Sequence, residues 1–340
     1  MGGEPWPRPA RGPEMPATRR STPLGEFLRA RREQVKPEQV GIDPQPGRRV
    51  PGLRREEVAS LAGVSPDYYL RLEQGRDQRP SEQVLTALAR ALLLDEDSRQ
   101  YLLKLARPRP FVRRLPAQGS VAPSVLQLLD QWSNTPAYVS DGQHDVLAVN
   151  PLMAGIAPGI AVPGTNMLVS AYAGYHAYLA GVADQRLLDA HQLSEWEGTL
   201  RELTASLRFH ADPDDRRLHE IVGMLSARYP LFRTVWAEHL ARPQLHGTKR
   251  AYVEPLGWID FRFQTLEVPR SAGQFITALF GEPGSPAARA IAYIAARPAA
   301  PASWSQGAAT AFTARSDLSR SNAVREASSD GTNTIRALSS

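Results

Sequence analysis

Between Glu56 and Gln74 the apolar positions recur at the three- and four-residue spacing of a helix, with one break. Val58, Leu61 and Ala62 fall on one face of a short helix, and Tyr69 and Leu72 on one face of a second. Gly63 stands at the break, where a backbone turning with positive φ costs glycine least, and Val64 follows as the apolar plug of the corner. Ser65 is an N-cap residue and Pro66 suits a first helical turn. Gly75 ends the second helix. Two helices joined by so short a glycine-containing turn make a helix-turn-helix unit. Further helical stripes surround it. Leu24, Phe27, Leu28 and Arg31 mark a helix to Gln34 with a basic surface through Arg29, Arg31 and Arg32. Val84, Leu85, Leu88, Ala89 and Leu92 follow the cap Ser81. Tyr101, Leu102, Leu105 and Ala106 follow the cap Asp95. The expected unit is an all-α bundle of five helices. Its first connection, 35–53, is rich in proline and glycine and reads as an irregular insertion tethered by Val40, Ile42, Val50 and Leu53, with Arg48 and Arg49 exposed.

From Pro123 the pattern changes. Ser124 to Trp132 is helical, with Val125, Leu128 and Leu129 inward. Tyr138-Val139, a turn at Asp141-Gly142, and Val146 to Val149 read as a hairpin. Residues 151–170 read as irregular or short helix. Helices are expected over 175–185, 194–209, 213–226 and 230–239, with Ser194 and Glu197 as a capping box and Pro213 and Pro230 as helix starts. Strands are expected near 249–253, 257–266 and 274–280, and Gly257 to Phe263 alternates with period two. A last helix covers 286–296. The fold class is therefore multidomain, an all-α bundle followed by an α+β domain. The segments divide as a disordered arm at 1–22, the bundle at 23–107, a proline- and arginine-rich linker at 108–122, the α+β domain at 123–297 and a disordered tail at 298–340.

Charge sharpens this division. The chain has 340 residues and a formal net charge of +5. Residues 1–115 hold 22 Lys and Arg against 15 Asp and Glu, so the second part is slightly acidic and the basic excess lies with the helix-turn-helix. That asymmetry suits a polyanionic partner. With no cysteine there is no disulfide, thiolate metal site or cysteine nucleophile. The sequence shows no apolar run long enough for a membrane span and no signal-peptide core, so a cytoplasmic, nucleoid-associated protein is expected. The seven histidines make no zinc-binding helix pair with a glutamate, and no phosphate loop or nucleophile elbow is present, so neither an enzyme nor a cofactor is expected. Asp184, Asp189 and His191 are close enough in sequence to form a polar cluster for a catalytic second half, but read as solvated loop residues.

The spacing Ala59, Gly63, Val64, Tyr69, Leu72, Glu73, Gly75, Pro80 resembles the XRE-type, phage-repressor-like helix-turn-helix family. That resemblance implies a second helix in the major groove of double-stranded DNA. Asp67, Tyr68 and Arg71 then read bases: Arg71 forks onto guanine and Asp67 accepts from cytosine. Arg54, Arg55, Ser65, Arg76 and Arg79 contact phosphates. The second half resembles the PAS-like ligand-binding domain of MmyB-like transcription regulators, through Pro136-Ala137, Asp145 to Pro151, Phe232-Arg233 with Trp236, and Pro255-Leu256-Gly257. It departs from them at Val149 and Glu254, where members often have tryptophan and histidine. The resemblance implies a small hydrophobic, fatty-acyl-like ligand and a homodimer. Tyr138, Trp236, Trp258, Phe261 and Phe263 are the candidates for lining a pocket, with ordinary core as their other reading. A second half that only dimerises or binds a protein partner is the alternative.

Overall fold

A computed structural model describes residues 22–43, 48, 50–77, 79–106, 120–158, 161–181, 190–271 and 273–297, the side chains of 190–192 excepted. The arm, most of the linker, the tail, Arg49, and the Asp184, Asp189 and His191 side chains lie outside the described residues. The chain divides between Pro108 and Arg109 into two compact units.

The first unit contains α1 (Pro23–Gln34), α2 (Arg55–Ala62), α3 (Pro66–Glu73), α4 (Glu82–Ala91) and α5 (Glu96–Ala106), with a 3-10 turn at Pro37–Val40. Thr22, Ser65 and Ser81 cap α1, α3 and α4 by accepting a backbone N–H. Gly63 closes α2 at φ 64°, a left-handed conformation that strains any residue bearing a Cβ. α1 crosses the end of α3 so closely that a Cβ on Gly25 would stand 2.3 Å from the Glu73 carbonyl oxygen. Phe27 and Tyr101 meet edge-to-face across α1 and α5. Two expectations are corrected. Leu61 is 41% exposed, and burial on α2 falls on Val58, Ala59 and Ala62, because the inward face is turned towards Ala59 rather than Leu61. Arg48 is not a free surface arginine. It donates to both Glu57 carboxylate oxygens, at 2.7 and 2.6 Å, and to the Val50 and Gly52 carbonyls, fastening the insertion to α2.

The second unit is α+β, with helices on a five-stranded antiparallel sheet of order β2-β1-β5-β4-β3. The strands are β1 (Ala137–Asp141), β2 (Val146–Val149), β3 (His246–Val253), β4 (Gly257–Glu267) and β5 (Gln274–Phe280). The helices are α6 (Pro123–Gln131), α7 (Pro151–Ile156), α8 (Met167–Gly181), α9 (Ala190–His210), α10 (Arg216–Arg228), α11 (Pro230–Ala237) and α12 (Pro286–Ala295). α7 to α12 pack their apolar residues with Tyr138, Ile259, Phe261, Phe263 and Leu279 on one sheet face. α6 covers part of the other face through Leu129, Val139, Ala148 and Ile276.

Three helix starts differ from the sequence expectation. α8 begins near Asn166, whose side chain accepts from Val169 N–H at 3.1 Å. α9 begins at Ala190, so Ser194 is inside it, and Glu197 accepts the Tyr175 hydroxyl at 2.6 Å instead of closing a capping box. α10 begins at Arg216 with Asp215 as its cap.

Candidate functional site

α3 presents its outward residues as a connected surface. Tyr69, Leu72 and Glu73 are buried, which leaves Asp67, Tyr68 and Arg71 turned outward. Arg71 forms an ion pair with Asp67 one turn away, and its guanidinium carbon lies 5.7 Å from the Tyr68 ring centroid. Partial burial and the Asp77 charge raise the Tyr68 pKa, so its phenol keeps its proton and can donate at neutral pH. The three residues singled out from sequence thus meet on one helical surface. Arg71 donates to Asp67 through Nη1 alone, so its other N–H groups can meet a new acceptor.

The residues expected at phosphate lie at the start of α2 and at the two ends of α3. Arg54 and Arg55 are exposed at the start of α2, and Arg76 and Arg79 are exposed after α3. Ser65 accepts from Tyr68 N–H at 3.1 Å, which leaves its hydroxyl proton free to donate. Arg55 is not a plain solvated side chain. Its Nε donates to Glu73 at 2.7 Å, while its two terminal nitrogens have no partner among the described residues.

In the sequence Glu73 stands out only as a position of the helix-turn-helix spacing, and the structure gives it a further role. It is 6% exposed and also accepts from Arg32 Nε at 2.6 Å. Arg32, expected on a basic surface, is itself buried and also donates to the Leu53 carbonyl at 3.0 Å. One buried carboxylate therefore ties α1, α2 and α3 together. The signal was present: Glu73 lies four residues after Tyr69, and Arg32 four after Leu28, both on the inward period.

In the second unit the five candidate lining residues separate. Tyr138, Phe261 and Phe263 are 3%, 0% and 4% exposed within one core. Trp236 lies at its margin, stacked on Phe232 and under the Arg208 guanidinium at 3.7 Å. Trp258 does not belong with them. It is 46% exposed, edge-on to Tyr252 and Trp196, because it is out of phase with Ile259, Phe261 and Phe263 on β4.

A polar network surrounds the β1–β2 turn. Asp141 accepts the N–H groups of Gln143 and Asp145, both at 2.9 Å. Burial, then the Asp145 charge, pushes its pKa up to about 7. Arg217 grips Asp145 with two bonds of 2.9 and 2.8 Å, and Asn166 donates to the same carboxylate. The His144 Nε2 lies 3.1 Å from the Leu203 carbonyl. Burial, then the Lys249 charge, pulls His144 down to about 4. Lys249 itself reaches across the core face to donate to the Tyr138 hydroxyl at 3.1 Å, with its ammonium 4.6 Å from the Phe263 ring centroid.

No helix among the described residues is long and apolar enough to cross a membrane. A helix-turn-helix domain family matches residues 23–102. No curated protein matches the chain. The MmyB-like transcription regulator ligand binding domain matches residues 121–293, just over half of the chain, and the chain accordingly belongs to the MmyB-like transcription regulators.

Proposed function

We propose that the chain, a DNA-binding transcription regulator with a ligand-binding domain, reads its operator in the major groove through Asp67, Tyr68 and Arg71, and is controlled by a small hydrophobic ligand held in the second domain. The junction of Asp67, Tyr68 and Arg71 on the outward side of α3 carries this reading. Arg71 offers a planar fork to guanine O6 and N7, Asp67 accepts from cytosine N4, and Tyr68 donates. Arg54, Arg55, Ser65, Arg76 and Arg79 hold phosphates, with Arg55 aimed by Glu73. Phe261, Phe263 and Tyr138 form the apolar wall for the ligand, and Trp236 its margin. The domains are taken as 23–107 and 123–297.

α3 spans eight residues, so one copy reads only a few base pairs. Specific binding then calls for two copies, with half-sites about one helical turn apart, roughly 34–36 Å. The exposed Tyr252, Trp258, Leu266 and Phe280 supply apolar surface for a dimer held by the second domain.

The test is titration of the full-length protein with operator and random duplex at several salt concentrations. Arg71→Ala should cost roughly 1–3 kcal/mol on the operator and much less on random DNA. Arg79→Ala should weaken both alike and flatten the salt dependence. Equal loss on both duplexes for Arg71→Ala would reduce Arg71 to a phosphate contact.

A further inference from the structure

Tyr252 and Trp258 pair in register where β3 and β4 meet their turn, on the parity opposite to Val253, Ile259 and Phe261. They point away from the helix-covered core and are 56% and 46% exposed. Leu256, in the turn itself, is exposed as well. Ring centroids lie 5.5 Å apart for Tyr252 and Trp258, and 6.4 Å apart for Trp258 and the half-buried Trp196 of α9. The planes are inclined at 74° and 65°, and rings so inclined leave grooves between them. Arg250, one pair further along on the same parity, is held by Asp260 and Glu195. The result is an aromatic shelf beside a neutralised charge, and a contiguous exposed patch of this kind marks an interaction site. The chain itself brings a fitting occupant to it. α12 ends at Ala295, and Arg297 donates to the Glu254 carbonyl at 3.3 Å and to the Tyr293 hydroxyl at 2.6 Å. Glu254 is two residues beyond Tyr252, so the described chain ends at the rim of the shelf. The next seven residues, 298–304, read Pro-Ala-Ala-Pro-Ala-Ser-Trp and carry no charged side chain. A polyproline II helix repeats every three residues, which puts Pro298, Pro301 and Trp304 on one edge with successive members about 9 Å apart. Only alanine and serine stand between them. Segments of this spacing dock in aromatic-lined grooves at low entropic cost, because the extended helix is preformed. The seven residues reach about 22 Å in that form, against a rise of about 7 Å from Glu254 back to Tyr252.

We propose that residues 298–304 dock on Tyr252, Trp258 and Trp196 of the same chain, with Pro298, Pro301 and Trp304 turned to the rings. The docked segment straps the end of α12 across the β3–β4 turn and covers the aromatic surface there. It does not depend on the dimer proposed above, in which it becomes part of the face that a second copy meets.

Fluorine NMR of the full-length protein labelled with fluorotryptophan tests this, each resonance being assigned by a tryptophan-to-phenylalanine substitution and a dissolved gadolinium chelate broadening the exposed rings. In the parent, Trp258 should broaden less than the half-buried Trp132 and Trp236, and Trp304 less than free fluorotryptophan. In the full-length double variant Pro298→Ser, Pro301→Ser, Trp258 should broaden more than Trp132 and Trp236, as its bare exposure requires. In Trp258→Ala, Trp304 should broaden as free fluorotryptophan does. Trp132 and Trp236 should keep their shifts in both variants, which reports an intact fold. Trp258 broadening more than Trp132 and Trp236 already in the parent would overturn the docking, and so would protection that survives the proline changes. Protection that fades on dilution together with a dimer seen in sedimentation would assign the shelf to a second copy and overturn it too. A monomeric chain in which Trp258 stays protected would retain the docking and remove the dimer reading.

Discussion

Asp141 and His144 titrate in opposite directions, and their opposition predicts how stability varies with pH. Asp141 is raised to about 7 by burial and by Asp145, against about 3.9 for an unfolded aspartate. Between those values the folded chain holds a proton that the unfolded chain has lost. Stability from this group is present below about pH 4 and is lost as pH rises to 7, at up to roughly 1.4 kcal/mol per pH unit. His144 is lowered to about 4 by burial and by Lys249, against about 6.5 unfolded. Its contribution is present above about pH 6.5 and is lost as pH falls through 4, with the same slope and opposite sign. Between about pH 4 and 6.5 the two offset each other, and the net loss falls between about 6.5 and 7. Asp141→Asn breaks the balance without breaking the turn, because an amide oxygen still accepts the Gln143 and Asp145 N–H groups. The variant should match the parent near pH 4 and gain on it by roughly 1 kcal/mol per unit up to pH 7, then run parallel. Urea midpoints followed by tryptophan fluorescence measure this in the full chain carrying Trp6→Phe, since Trp132, Trp196, Trp236, Trp258 and Trp304 all lie in the second unit. A difference between variant and parent that stays constant from pH 4 to 8 would refute the reasoning.

Glu73→Ala strands the buried Arg32 and should destabilise the first unit by roughly 3–5 kcal/mol, whereas Arg55→Ala, which removes the half-exposed partner, should cost about 1 or less. Circular dichroism during urea unfolding should then show helix lost at lower urea than the tryptophan signal, and coincident transitions in Glu73→Ala would sink the idea. Asn150 is 1% exposed, accepts from Ala137 and Met153 N–H at 3.0 Å each, and donates to the Trp132 and Thr135 carbonyls. Asn150→Ala leaves those groups unmet and should lower stability by about 2–4 kcal/mol in the same fluorescence assay, where a loss under 1 would deny the tie its role. Sedimentation of the full-length protein should give a dimer that Trp258→Glu dissociates; a monomer protecting a single half-site would remove the two-fold reading.

The first unit was legible because caps, turn glycine and apolar spacing agree there: Ser65, Gly63, Pro66 and Ser81 each occupy the place their chemistry suggests. In the second unit the order of elements was legible and several starts were not, because α8 begins at Met167, well before Tyr175, and α9 and α10 begin at residues other than the serine and proline that signalled them. Trp258 was misplaced for an avoidable reason. Parity along β4 already separates it from Phe261 and Phe263, whatever its size. Arg32 was misplaced because charge was read as exposure, and Glu73 was named only as a position of the motif, although helical period put both inward. Lys249 had no such signal. His246 to Val253 mixes polar and apolar residues on both parities, and only the register with β4 reveals which side faces the core.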